Sequence, residues 1–283
     1  MNEMTPQQIL EQHWLAATIR DNFIFGKTFE TNPDLCCQLI ESILNIKVKD
    51  LRYPEREKVV EARADSKGIR LDVYAEDKGS NRSFDIEMQV TNNDNLGKRM
   101  RYYQGLIDLD KLKHGQHYRE LGEVFIIFIC PFKVFRGGRH IYTFRDICVE
   151  NPKISLDNGA TKIFISTKGT ADDVSDTVKN FLNYVDNGVV TGSFVKDLDA
   201  AVQLVKSNKK VRLEFMTYEM ALLDRELLGE ERGRSEGRAE ERIDMVKNFL
   251  DVGTPIEFII KATGWSEDKI LKLKTDTNAN SND

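Results

Sequence analysis

The 283 residues contain no apolar run long enough to cross a bilayer. The longest, Val124 to Pro131, falls far short of the ~20 residues a spanning helix needs. No basic start followed by an apolar stretch opens the chain (MNEMTPQQILEQ), so no secretory leader is expected. Cysteine is scarce: Cys36, Cys37, Cys130 and Cys148 show no CxxC spacing and suit reduced core thiols better than a disulfide frame. These absences predict a cytoplasmic protein without a membrane partner. Positive charge is also short. The net charge of −5 argues against a protein that coats nucleic acid nonspecifically. A local basic stretch survives between Lys98 and Arg119, where Lys98, Arg99, Arg101, Lys111, Lys113 and Arg119 meet only Asp108 and Asp110.

Several signatures of other chemistries are missing too. Gly26-Lys27-Thr28 ends like a P-loop, but Asp21 stands where that motif needs glycine. His114 and His117 lack the Glu-flanked spacing of a zinc helix, and no G-x-S-x-G elbow occurs.

What is present reads as an α/β chain. Residues 8–20 and 33–46 have helical periodicity, the second with Leu35, Leu39, Ile40, Ile43 and Leu44 on one face. Two short alternating segments follow, 68–75 and 83–90, separated by a polar turn. A helix is expected over 95–113. Val124–Cys130 (VFIIFIC) is apolar on both faces, as in a central strand covered from both sides. Residues 140–148 and 162–166 are further strand candidates, and 171–228 is helical with a break near Asn187-Gly188.

The paired segments carry the chemistry. Strand parity puts Arg70, Asp72 and Tyr74 on one face of the first, and Asp85, Glu87 and Gln89 on one face of the second. If Gly79-Ser80 makes the turn, paired positions sum to 159 and Asp72 faces Glu87, with Cβ atoms about 5 Å apart. Two carboxylates so placed repel unless a cation lies between them. Hard oxygen ligands of that kind suit Mg²⁺ or Mn²⁺.

The residues LDVYA and FDIEMQ, with DNFIFGKTF before them, RMRYYQ after them and a Gly/Glu/Arg-rich tail, resemble the PD-(D/E)XK nuclease superfamily. More narrowly they resemble the Rpn family of recombination-promoting nucleases, also labelled transposases. The resemblance spans most of residues 20–275. It implies a restriction-endonuclease-like core: a mixed central sheet flanked by helices, with a helical C-terminal tail. It also implies that Asp72, Glu87 and the main-chain carbonyl of Met88 bind the metal, and that Gln89 occupies the position where the superfamily usually has lysine. A Gln amide can orient water but brings no charge. The cation at the transition state then falls to the metal and to Arg101. Glu41 and Glu57 are the candidates for an acidic helper on the first helix. Arg99, Arg101 and Tyr103 are candidate contacts to DNA phosphates.

The expected organisation is a nuclease-like domain over 1–228, a Gly/Glu/Arg-rich linker over 229–242, a helix-turn-helix-like module over 243–274, and a disordered end over 275–283. The linker has Gly229, Gly233 and Gly237 among alternating charges and no apolar face, so it reads as a weak solvated helix or a flexible connector. In the module, Gly253 closes one helix, and Thr254-Pro255-Ile256-Glu257 reads as a capping box for the next. The expected function is a metal-dependent DNA endonuclease tied to recombination or transposition. The alternative is a nuclease fold that no longer cuts and binds DNA or protein. A homo-oligomer through the helical module is a further expectation.

Overall fold

The computed structural model describes residues 4–52, 59–60, 69–92 and 95–279, with the backbone alone for 59–60 and 275–279. Among these no helix is long and apolar enough to cross a membrane. Two compact units are present, Met1–Phe215 and Met216–Asp283.

The first unit begins with α1 (Pro6–Ala16), α2 (Asn22–Thr31) and α3 (Pro33–Leu44). Short strands β1 (Leu51–Arg52), β2 (Val59–Val60) and β3 (Ile69–Arg70) lead into the hairpin β4 (Val73–Asp77) and β5 (Arg82–Met88). Then come α4 (Leu96–Lys111), β6 (Glu123–Cys130), β7 (Ile141–Phe144), β8 (Ala160–Ser166), α5 (Asp176–Asn187), α6 (Ser193–Ser207) and the start of α7 (Lys209–Asp251). The main sheet has the order β1-β4-β5-β6-β8-β7. Its three inner strands β5, β6 and β8 are parallel and the outer pairings antiparallel. This mixed sheet with flanking helices is an α/β, restriction-endonuclease-like core, and β6 is the buried central strand its sequence predicts.

α4 packs on one face of that sheet through Leu96, Met100, Tyr103, Leu106 and Ile107, at the spacing of one helical stripe. Beneath it lie Tyr74, Ile126, Phe128 and Phe164. α4 is also tied down electrostatically, because Lys111 pairs with Glu76 of β4 and lies over the Tyr74 ring.

Two differences from the sequence expectation shape the site. Residues 21–31 carry no expected element, yet they form α2, capped by the Asp21 carboxylate, which accepts from Phe23 N–H at 3.0 Å and Ile24 N–H at 3.1 Å. The expected strand over 68–75 is interrupted: β3 pairs with β2, β4 starts at Val73, and Asp72 sits in a bend between them. The bend persists because the Asp72 N–H is bound by a side chain, described below, rather than by a neighbouring strand.

In the second unit Val246, Ile259 and Ile270 form a buried centre joining the end of α7 to α8 (Ile256–Thr263) and α9 (Glu267–Ala279). Gly253 and Gly264 adopt positive φ (75° and 70°), as helix ends favour. The capping box expected at Thr254 is not formed; Pro255 is the N-cap of α8 and no side chain caps it. α9 extends to Ala279, into the stretch expected to be disordered. Residues 229–242 are helical within α7, and everything from Asp224 to Arg242 is exposed. Helix continuity there rests on local bonds alone, against about 1 kcal/mol lost per glycine relative to alanine. Limited proteolysis is therefore expected to cut first within 229–242. A segment as resistant as β4 and β5 would mean that another surface covers it.

Candidate active site

The β4–β5 register pairs Val73 with Ile86 and Asp77 with Arg82, so paired positions sum to 159. The loop is longer than two residues, spanning 78–81, and the Asp77 carboxylate closes it by accepting from Gly79 N–H at 3.1 Å and Ser80 Oγ at 2.5 Å. Carried one step beyond β4, the register sets Asp72 against Glu87. The contact is direct: Asp72 N–H donates to Glu87 Oε1 at 2.9 Å, and Met88 N–H donates to Asp72 Oδ2 at 3.2 Å.

The acidic face of the hairpin is not open to solvent. Asp85 is 0% exposed, Glu87 1% and Gln89 6%, because α4 lies over them. Arg99, on the second turn of α4, reaches down into this layer. Its Nη2 donates to Glu87 Oε2 at 2.8 Å, its Nη1 to Gln89 Oε1, and its Nε to the Tyr103 hydroxyl at 2.9 Å. The guanidinium also sits over the Tyr103 and Phe128 rings. Gln89 is fixed at its other end, Nε2 donating to Thr91 carbonyl at 2.6 Å.

Three carboxylates thus share one guanidinium. Burial, first of all, pushes the Asp72, Asp85 and Glu87 carboxyls well above the ordinary range, and their mutual repulsion adds to it. Both oxygens of Asp85 are buried without a hydrogen-bond donor. Their close neighbour is the Glu87 carboxylate, which can bond to Asp85 only when one of the two holds a proton. Full ionisation would leave the layer with net negative charge even with Arg99 beside all three acids and Arg70 acting on Asp72, a deficit that a cation can offset. No group of three or more His, Cys, Asp or Glu converges as a ready cage among the described residues. Asp72 and Glu87 are the two carboxylates that the hairpin brings into direct contact, and Asp85 is buried beside Glu87.

Raised carboxyl pKa values have a definite sign in stability. Such groups favour the folded state most at pH below their unfolded values, about 4, and that contribution is lost as pH climbs through the raised folded values. Asp77 and Asp173, held low by hydrogen bonds, contribute the opposite trend only below that range. Metal-free protein is thus expected to melt at a lower temperature at pH 8 than at pH 5, with Asp85→Asn flattening the slope. Calorimetry in chelator checks this; an identical slope in the variant would contradict it.

α2 seats Asp72 from the other side. Asn22 Nδ2 donates to Asp72 Oδ1 at 3.3 Å, and Gly26 runs so close that a Cβ there would lie 2.8 Å from the Asp72 carbonyl oxygen. Asn22 is not singled out in the sequence, Gly26 only as part of a rejected P-loop match, and DNFIFG only as part of a resemblance. Gly26→Ala is expected to destabilise the fold by ~1–3 kcal/mol through this overlap. It should also lower activity even where the protein remains folded, which urea unfolding and cleavage assays would separate.

The remaining sequence candidates are placed as follows. Glu41 lies on α3 with its carboxylate bound to Lys47 at 3.0 Å and Val48 N–H at 2.9 Å, while the charges acting on Asp72 are Glu87, Arg99 and Arg70. Glu57 lies outside the described residues. Arg101 is exposed. Arg99 and Tyr103, expected at DNA phosphates, point into the acid layer and the core instead, with Tyr103 only 6% exposed. Asp85, which strand parity puts on the same face as Glu87, is a further acid of this layer.

Fold and site together define a nuclease-type α/β domain with paired acids on a central hairpin. Residues 22–154 match the family model of the PD-(D/E)XK nuclease family transposase. No curated protein and no solved structure matches the chain.

Proposed function

We propose that the protein is a divalent-metal-dependent DNA endonuclease acting in recombination or transposition. The observation that carries this reading is the Asp72–Glu87 pair, locked together by backbone bonds and left short of positive charge by Asp85. Asp72, Glu87 and the Met88 carbonyl would hold Mg²⁺ or Mn²⁺. Bound there, the ion supplies Lewis acidity toward a phosphodiester oxygen and lowers the pKa of its water. Gln89, with Oε1 bonded to Arg99 and Nε2 to the Thr91 carbonyl, would orient a water or a phosphate oxygen through its second Nε2 hydrogen. Arg99, already bonded to Gln89 and Glu87, brings the fixed positive charge that the superfamily's lysine would bring from position 89. Arg101, exposed on the same helix, contacts the DNA backbone.

The same Arg99 clamp favours a second reading, a nuclease fold that binds DNA without cutting, with Glu87 held by the guanidinium instead of a metal. Incubating purified protein with supercoiled plasmid in Mg²⁺, in Mn²⁺ and in chelator separates the two. Nicking or linearisation with metal alone supports the nuclease; retarded but intact DNA in every condition supports the binder.

A further inference from the structure

The stretch Pro131–Arg145 (PFKVFRGGRHIYTFR) interleaves Lys133, Arg136, Arg139 and Arg145 with four aromatic rings and contains no acidic residue, in a chain whose net charge is −5. It builds the loop after β6 and the edge strand β7. There Phe135, Phe144 and Phe164 meet with centroids 5.2–5.9 Å apart, two of the three contacts edge-to-face. Beside them opens a cleft of about 520 Å³, closed on its other side by Leu96, Gly97 and Met100 of α4 and rimmed by Lys162. Phe144 is 45% exposed there, although a ring of that size normally finds cover. Lys133, Arg136 and Arg145 are exposed, whereas Arg139 is paired with Asp173.

The sheet register relates this cleft to the acids. Glu87 pairs with Phe128, Phe128 with Phe164 and Phe164 with Tyr142, so the carboxylates and the aromatic cleft share one sheet face, with Phe164 two strand spacings or about 10 Å from Glu87 and the strand of Phe144 three spacings or about 14 Å. Asn92 and Phe135, which line the cleft, follow the carboxyl ends of the parallel strands β5 and β6, where ligands of such sheets collect. Aromatic faces beside exposed cations are how proteins hold unpaired strands, the rings stacking on bases and the cations tracking phosphates.

We propose that this cleft seats an unstacked nucleobase of the DNA strand being cut, on the same sheet face as the acid pair. The substrate class is then single-stranded or locally unpaired DNA, and Phe144 is the stacking residue. The inference rests on the nuclease reading above and deepens it.

The test uses the full chain in chelator, so that nothing is cut, with fluorescence anisotropy of a labelled thymidine oligonucleotide and of a hairpin duplex of equal length. The strand is expected to bind about tenfold or more tightly than the duplex. Phe144→Ala should weaken strand binding by about tenfold, Phe144→Tyr should keep it, and neither should change duplex binding. A 2-aminopurine in the strand should be quenched by wild type and not by Phe144→Ala. Equal affinity for strand and duplex, or an unchanged Phe144→Ala, overturns the proposal. So does binding confined to a uridine RNA strand, or a Phe144→Ala that dissociates a dimer while still binding the strand. A protein that binds the strand through Phe144 yet cuts neither plasmid nor single-stranded circles in any metal would sink the nuclease reading and leave the seat standing. Unimpaired cutting of single-stranded circles by Phe144→Ala would do the reverse.

Discussion

Asp72→Asn and Glu87→Gln should each reduce metal-dependent plasmid cleavage by about 10³-fold or more while the protein stays folded. The magnitude follows from the ~4 kcal/mol or more of transition-state stabilisation lost with a metal ligand. Amide replacements are chosen because both carboxylates accept backbone N–H bonds, Asp72 from Met88 and Glu87 from Asp72. An amide oxygen keeps those bonds, whereas alanine would strand the donors in a buried layer. In chelator at pH 8 each variant should be at least as stable as wild type, since one of three crowded carboxylates is gone. Wild-type cleavage by either variant would remove the hairpin from the chemistry.

The second large effect belongs to Arg99. Removing one partner of a buried ion pair costs about 3–5 kcal/mol, because the other charge is left uncompensated. Glu87 is 1% exposed, but the Arg99 side chain is 34% exposed, so Arg99→Ala should fall at or below the lower end, about 2–3 kcal/mol in chelator at pH 8. Mg²⁺ should restore part of that loss, because a metal ion can replace the missing positive charge, and urea unfolding with and without Mg²⁺ measures both. Cleavage should fall as well. If Arg99 does the work of the absent lysine, the double variant Arg99→Ala/Gln89→Lys should recover activity relative to Arg99→Ala alone. The opposite result, faster cleavage by Arg99→Ala in saturating metal, would make the guanidinium a competitor of the metal and not its helper.

The hairpin was the most legible part of the molecule. A side-chain period of two and one turn are enough to set Asp72 against Glu87, and a four-residue loop preserves the same sum as a two-residue one. Its burial was not legible. Acids alternating with apolar residues look like a solvated sheet face, and the cations of α4 look like a DNA-facing patch. Only the apolar stripe from Leu96 to Ile107, docked on Phe128 and Phe164, reveals that Arg99 turns inward. Asp85 was missed for a related reason: its position two residues before Glu87 was plain, but its effect depends on losing water.

α2 was invisible because Phe23, Ile24, Phe25 and Phe29 are buried around much of the helix, leaving no single stripe, and Gly26 interrupts it. The use of Gly26 is a close approach to Asp72, which sequence spacing cannot express. In the tail, three glycines argued for a weak segment, but no proline interrupts residues 209–251 and the helix runs through them.

We propose one divalent cation for the acid layer under α4. Titrating metal-free protein with Mn²⁺ by calorimetry in two buffers of different ionisation enthalpy tests that directly. The expected result is about one ion per chain, protons released on binding as the raised carboxyls ionise, and no such binding by Asp72→Asn/Glu87→Gln. Equal binding by that double variant, or none by wild type, would contradict it.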